Sequence, residues 1–159
     1  MAKSPTSHYP NIGILGEELV AQWLQSTGWT ILQRRFRHRL GEIDIIAESP
    51  TNPLPTLAFI EVKTRSLGNW DEGGKHAISS QKRQKIWQTA ELFLTKYPEK
   101  ADYICRFDVA LIIYRQESNT QHLSNNQSVS ATNLATNLSD GYSLILEEYI
   151  TNAFEEELL

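Results

Sequence analysis

Cysteine is nearly absent from this 159-residue chain: Cys105 stands alone, which excludes an internal disulfide and any multi-cysteine zinc site. One thiol also fits a reducing compartment. At the head of an apolar stretch, Cys105 is expected to be a small buried residue. No apolar run approaches the length that spans a membrane, and residues 1–8 lack the apolar centre of a signal peptide. A cytoplasmic protein is the expectation. His8, His38, His76 and His122 lack the helical spacing of a zinc site. Neither a Ser/His/Asp triad nor a phosphate-cradling Gly-x-x-x-x-Gly-Lys can be assembled. No internal repeat is visible.

Lys and Arg are missing altogether after residue 115. The first 115 residues carry all 15 of them against 12 of the 19 acids, and the remaining 7 acids lie beyond. The net charge of −4 therefore averages a basic part of +3 and an acidic part of −7. Local patches decide whether phosphates are attracted, because screening confines such fields to about 10 Å at ordinary salt. Arg34-Arg35-Phe36-Arg37-His38-Arg39 is one such patch, and Lys82, Arg83 and Lys85 form another. The bland alternative for each is a solvated face.

What is present fits one domain: 40% apolar and 21% charged residues in a length that can bury a full core. Residues 1–11 read as a flexible N-terminus. Ile12, Leu15, Leu19, Val20, Trp23 and Leu24 mark a helix that stops near Gly28. Trp29 to Arg37 reads as a strand, and Leu40-Gly41 as a turn into the next. Ser66 to Lys75 is a loop, and a second helix runs from Ser79 to Pro98. Arg106 to Tyr114 is apolar enough for a central strand. Residues 116–140 are rich in Ser, Asn, Gln and Thr and read as a long flexible insert. Tyr142–Ile150 then reads as an edge strand and Asn152–Glu157 as a short acidic helix, with 141–159 completing the domain begun at 12–115.

Chemistry concentrates in two segments, Gly41-Glu42-Ile43-Asp44-Ile45-Ile46 and Phe59-Ile60-Glu61-Val62-Lys63-Thr64-Arg65. Both alternate as strands do, and the Pro-rich stretch 49–56 between them can join neither, so a hairpin is predicted. Alternation sends Ile43, Ile45, Ile60 and Val62 to one face, and Asp44, Glu61 and Lys63 to the other. Leu57 and Phe59 share that second face, so acid and base emerge from an apolar floor. Carboxylates so placed repel each other, and a hard divalent cation relieves the repulsion. A cross-strand ion pair is the bland alternative. Glu17 borders the buried stripe of the first helix, as a ligand or as an acid stabilised by the helix dipole. Lys82, four before Ile86, faces inward and could reach a phosphate or simply snorkel. Asp108, inside an apolar strand, is expected to form a structural ion pair, with Arg106 on the same face but too close in sequence to serve without curling back.

At these residues, and at Gly13-Ile14-Leu15-Gly16-Glu17, Arg106-Phe107-Asp108-Val109 and Ile150-Thr151-Asn152-Ala153-Phe154, the chain resembles the YraN-like family, an endonuclease-like group. That family is similar to the PD-(D/E)xK restriction-endonuclease-like superfamily, including archaeal Holliday-junction resolvases. The resemblance implies an α/β restriction-endonuclease-like core, a mixed central β-sheet flanked by helices. It implies Asp44 and Glu61 as metal ligands, Lys63 as the charge-stabilising lysine and Glu17 as the helix-borne acid.

The expectation is a nucleic-acid-binding protein that cuts phosphodiester bonds with Mg²⁺ (or Mn²⁺), held by Asp44, Glu61 and the Val62 carbonyl. Arg34, Arg35, Arg37, Arg65 and Lys82 would position the nucleic-acid backbone, DNA favoured over RNA. Resolving a branched junction would require a homodimer. The rivals are a non-catalytic nucleic-acid-binding or assembly factor with the same fold, and a structural protein whose carboxylates pair with Arg and Lys.

Overall fold

The structure, a computed structural model, describes residues 11–50, 54–67, 78–116, 135–139 and 141–155. Helix α1 spans Ile12–Ser26 and begins where the Asn11 side chain accepts a hydrogen bond from the Ile14 N–H at 3.2 Å. It ends as the sequence predicts. Gly28 takes φ 95°, and the Gly28 and Trp29 N–H groups turn back to the Gln25 and Leu24 carbonyls, the Schellman arrangement. Strands β1 (Thr30–His38), β2 (Gly41–Ser49) and β3 (Thr56–Ser66) follow as an antiparallel meander. Helix α2 (Ser80–Lys96), capped by Ser79, carries the chain across the sheet, so that β4 (Ile104–Gln116) returns parallel to β3.

The C-terminal part departs from expectation. Tyr142–Phe154 is one continuous strand, β6, antiparallel to β4, and no helix forms over 152–155. Nor is β6 the edge: β5 (Ala135–Ser139), taken in the sequence as part of a flexible insert, pairs outside it. A polar segment can do this because ladder hydrogen bonds come from the backbone. The insert from 117 to 134, the N-terminal ten residues, most of the predicted 66–75 loop and the last four residues lie outside the described residues. The sheet order is β1-β2-β3-β4-β6-β5, mixed, with both helices packed on it. This is an α/β fold consistent with a restriction-endonuclease-like core. Among the described residues no helix is long and apolar enough to cross a membrane.

Each face of the sheet has its own core. On one, Leu19, Val20, Ala21 and Leu24 of α1 meet Ile45, Ala47, Ala58, Ile60, Ala110 and Ile112. On the other, Ile86, Ala90 and Phe93 of α2 meet Ile46, Leu57, Phe59, Phe107 and Val109. Ile43 belongs to the α2 side and Ile45 to the α1 side, so the prediction that they share a face fails. The cause sits on the neighbouring strand. Arg35 adopts φ 51°, a left-handed backbone in mid-strand, between the pairs Arg34–Ile45 and Phe36–Ile43. Alternation breaks there, and Phe36 and Ile43 go to the α2 core together.

Cys105 is exposed, not buried, and its neighbour Ile104 is exposed as well: the first residues of β4 project past the cover of both helices. Asp108 is fully buried and makes the structural ion pair expected of it. Arg106 does serve as its partner, with Nε 3.1 Å from Oδ2, while its guanidinium lies over the Trp29 ring. The Tyr149 hydroxyl and the Asn152 N–H, at 2.6 and 2.9 Å, complete the shell.

Helix α1 approaches β3 most closely at Gly16, where an added Cβ would lie 2.5 Å from Thr64 Oγ1. Ala replacing Gly inside a helix normally stabilises by about 1 kcal/mol, whereas overpacking costs roughly 1–3 kcal/mol. Gly16→Ala should therefore lower the melting temperature in the wild-type background and raise it in a Thr64→Ala background. Calorimetric melts of the four chains test the close approach; equal effects in both backgrounds would rule it out.

Candidate active site

The β2–β3 ladder runs from Ser49–Thr56 to Ile45–Ile60 and stops. One step further stand Asp44 and Glu61. Instead of continuing the ladder, the Val62 N–H donates to Asp44 Oδ2 at 2.8 Å. This fixes one carboxylate at the point where the strands part. Glu61, on the α2 side of β3, keeps a side chain only 5% exposed. Its Oε1 faces two ammonium groups: Lys82 Nζ at 2.5 Å, from the first turns of α2, and Lys63 Nζ at 3.6 Å, two residues along its own strand.

The electrostatics follow from crowding. Burial, and then the charge of Glu61, push the Asp44 carboxyl up to about 7, against the Val62 hydrogen bond that favours its anion. Burial and the nearby Lys82 charge pull Lys63 below its ordinary value. Burial opposes the Lys82 ammonium too, but the hydrogen bond to Glu61 and its charge outweigh that and leave it raised.

Glu17 reaches the same place from α1, with a side chain 12% exposed and its Oε2 2.8 Å from Arg35 Nε. With Asp44, Glu61, Lys63, Thr64 and Tyr114 it lines a cleft of about 450 Å³. A second cleft of about 370 Å³ shares Asp44, Glu61 and Lys82 and adds Glu42, Ser79 and Lys85. The carboxylate pair is thus approached from both sides. Thr64 and Tyr114 were not singled out in the sequence. Pairing of β3 with β4 brings Tyr114 level with Ser66, and the Thr64 hydroxyl is buried with no hydrogen-bond partner among the described residues.

The structure therefore brings together Glu17, Asp44, Glu61, Val62, Lys63, Arg65 and Lys82. The basic run is placed differently. Arg34 and Arg35 both turn to α1, Arg34 Nη1 lying 2.5 Å from Glu18 Oε2, and Arg37 pairs with Glu42 at 2.9 Å. Neighbours on a regular strand would point to opposite faces; the left-handed backbone at Arg35 lets both meet one helix. Glu18 accordingly pairs with Arg34 while its side chain stays 43% exposed. His38 is exposed at the end of β1, while the other three histidines lie outside the described residues.

Among the described residues no group of three or more His, Cys, Asp or Glu side chains converges on one point. Two carboxylates do. Such an all-oxygen pair suits Mg²⁺, which keeps several waters and takes few protein ligands, and does not suit zinc. The high proton affinity of Asp44 marks the same point, since a cation would relieve the repulsion a proton now relieves.

Folded Asp44 holds a proton up to about pH 7, whereas its ordinary carboxyl value is 3.8. Between those values the folded chain binds more protons than the unfolded one, so stability falls as pH rises through that window. An Asp44→Asn chain should gain melting temperature relative to wild type as pH rises from about 4 to about 7.5. Parallel curves over that range would show the Asp44 carboxyl to be unstrained.

Residues 16–112 match the model of the family described as "Uncharacterised protein family UPF0102". The chain is 53% identical over 146 residues to the UPF0102 protein of Trichormus variabilis, covering 91% of this chain and 95% of that one. It is 51% identical to a UPF0102 protein of Nostoc sp., covering 91% and 94%, and 45% identical to one of Synechocystis sp., covering 91% and 97%. The matched span opens at the Gly16 contact, takes in Glu17, Asp44, Glu61, Lys63 and Lys82, and ends inside β4. On this evidence of sequence, which covers the whole carboxylate–lysine constellation, the chain belongs to the UPF0102 family.

Proposed function

We propose that this protein is a nucleic-acid-binding, Mg²⁺-dependent endonuclease that hydrolyses phosphodiester bonds, with branched DNA among the candidate substrates. The observation that carries the reading is the pair of a buried Glu61 and a half-buried Asp44, side by side at the mouth of two clefts with Lys63 against Glu61. A structural ion pair has no need of two adjacent carboxylates, one of them pushed up to about 7. A divalent cation held by Asp44, Glu61 and the Val62 carbonyl would supply charge neutralisation at the scissile phosphate and a more acidic water.

The chain's own groups divide the remaining work. Lys63, held 3.6 Å from Glu61 on a rigid strand, directs an ammonium at the place where charge develops on the phosphate. Lys82 and Arg65 line the same cleft and contribute positive charge for the flanking backbone. Arg34, Arg35 and Arg37 contribute to the same field, although each already neutralises an acid of this chain. Glu17, pinned by Arg35, sets the negative boundary of the cleft and keeps α1 over it.

The non-catalytic reading predicts nucleic-acid binding without turnover. Lys63→Met deletes the charge while keeping most of the side-chain bulk. It should leave folding and nucleic-acid affinity nearly intact and lower cleavage by a factor on the order of 100 or more. The assay spans branched, flapped and linear DNA with Mg²⁺ or Mn²⁺, run beside thermal melts. Failure of the wild type to cleave any of them would leave a binding module; an Asp44→Ala/Glu61→Ala chain with an unaltered Mn²⁺ titration would remove the metal site itself.

A further inference from the structure

Glu61 already has a cation on its carboxylate, and the two ammonium groups that share Oε1 are not equivalent. Lys63 is two residues from Glu61 on the same central strand, and its side chain is 20% exposed. Lys82 is the closer of the two yet more than twice as exposed, at 43%. Its backbone is fixed, because its N–H donates to the Ser79 cap at 3.2 Å. Its long side chain is not fixed, and it borders both clefts.

We propose that Lys82 is a displaceable counter-ion of Glu61: a divalent cation and the Lys82 ammonium compete for the same carboxylate, and the released ammonium turns to a backbone phosphate, so that cation and nucleic acid bind cooperatively. This deepens the nuclease reading and rests on it. The competition is electrostatic: a divalent cation shared by Asp44 and Glu61 sets a second, larger positive charge against the carboxylate that holds Lys82, and the two cations repel each other across it. Lys82 is the group that can leave, since its side chain is 43% exposed and reaches Glu61 from a separate element, α2. Once released, it stands at the first turns of α2 beside Ser79 and Lys85, facing the cleft that a phosphate would enter. Coupling of this kind is reciprocal, so phosphate capture by Lys82 must in turn tighten cation binding.

The test compares wild type with Lys82→Gln, Lys82→Arg and Lys85→Gln, each first shown to melt cooperatively. Lys85→Gln makes the same change in net charge one turn away, at an exposed side chain. Mn²⁺ affinity is read by calorimetry or electron paramagnetic resonance. Affinity for a labelled branched oligonucleotide is read with and without Ca²⁺. Lys82→Gln is expected to bind Mn²⁺ roughly fivefold or more tightly than wild type, Lys82→Arg more weakly, and Lys85→Gln within about twofold. The gain in oligonucleotide affinity on adding Ca²⁺ should shrink in Lys82→Gln and persist in Lys85→Gln. Unchanged or weaker Mn²⁺ binding in Lys82→Gln overturns the proposal, and so does an equal gain in Lys85→Gln, which would be a general field effect. If neither wild type nor Lys82→Gln binds Mn²⁺, the proposal falls together with the metal-dependent reading. If the pattern appears and no substrate is ever cut, the counter-ion role stands and only the nuclease reading falls.

Discussion

The constraint on which the site depends is the burial of Glu61 on a central strand with a second carboxylate beside it. Two like charges about 4 Å apart repel by roughly 4 kcal/mol at an effective dielectric of about 20, so such a pair cannot simply be left in place. The chain answers at both ends. Asp44 takes a hydrogen bond from Val62 and holds a proton up to about pH 7. Glu61 draws in Lys63 from its own strand and Lys82 from α2. The second answer depends on the register of α2, capped at Ser79, because sliding the helix by one residue would rotate Lys82 about 100° around its axis and away from Glu61.

Asp108 shows what a buried acid looks like when no ligand is wanted. It too sits on a central strand, fully buried, and lines neither cleft. Its oxygens are taken by the Arg106 guanidinium, the Tyr149 hydroxyl and the Asn152 N–H, donors fixed by packing and by backbone. Nothing there can leave without stranding a charge. Glu61 instead relies on a long side chain with nearly half its surface in solvent. On the function proposed above, the difference between a locked acid and an exchangeable one, more than burial, would separate structure from chemistry in this molecule.

Much of this was legible in the sequence because it rests on local periodicity. The Pro-rich break, the alternating Ile and Val, and the caps Gly28 and Ser79 located α1, the β2–β3 hairpin, α2 and β4, and with them Asp44, Glu61, Lys63 and Lys82. What was not legible has non-local causes. Asn152–Glu157 has the composition of a helix, yet β4 offers a long strand to pair with, and β6 continues to Phe154. The 135–139 segment has too few apolar residues to announce a strand and is recruited through its backbone by β6. The basic run gave no sign that Arg34 and Arg35 would be engaged by Glu18 and Glu17, since the helix and strand that supply those partners meet only in the folded sheet.

The least readable feature is also the one that shapes the site. A non-glycine residue at φ 51° costs on the order of 1–2 kcal/mol, and nothing in Arg35 or its neighbours favours that conformation. It persists because the surroundings over-determine it: Phe36 is drawn to the α2 core while Arg35 is held by Glu17. The consequence appears across the ladder at Asp44, which the broken alternation leaves between Ile43 on one face and Ile45 on the other. A regular hairpin would have set Asp44 on one face only, paired squarely with Glu61. The departure instead turns its carboxylate along the strand to the Val62 N–H, at the edge where α1 and α2 both open. Backbone irregularity gathers at this level of the sheet on both sides of the carboxylates, with Arg35 left-handed in β1 and, across β4, a register shift between Phe107 and Val109 beside Asn152 at φ 50°.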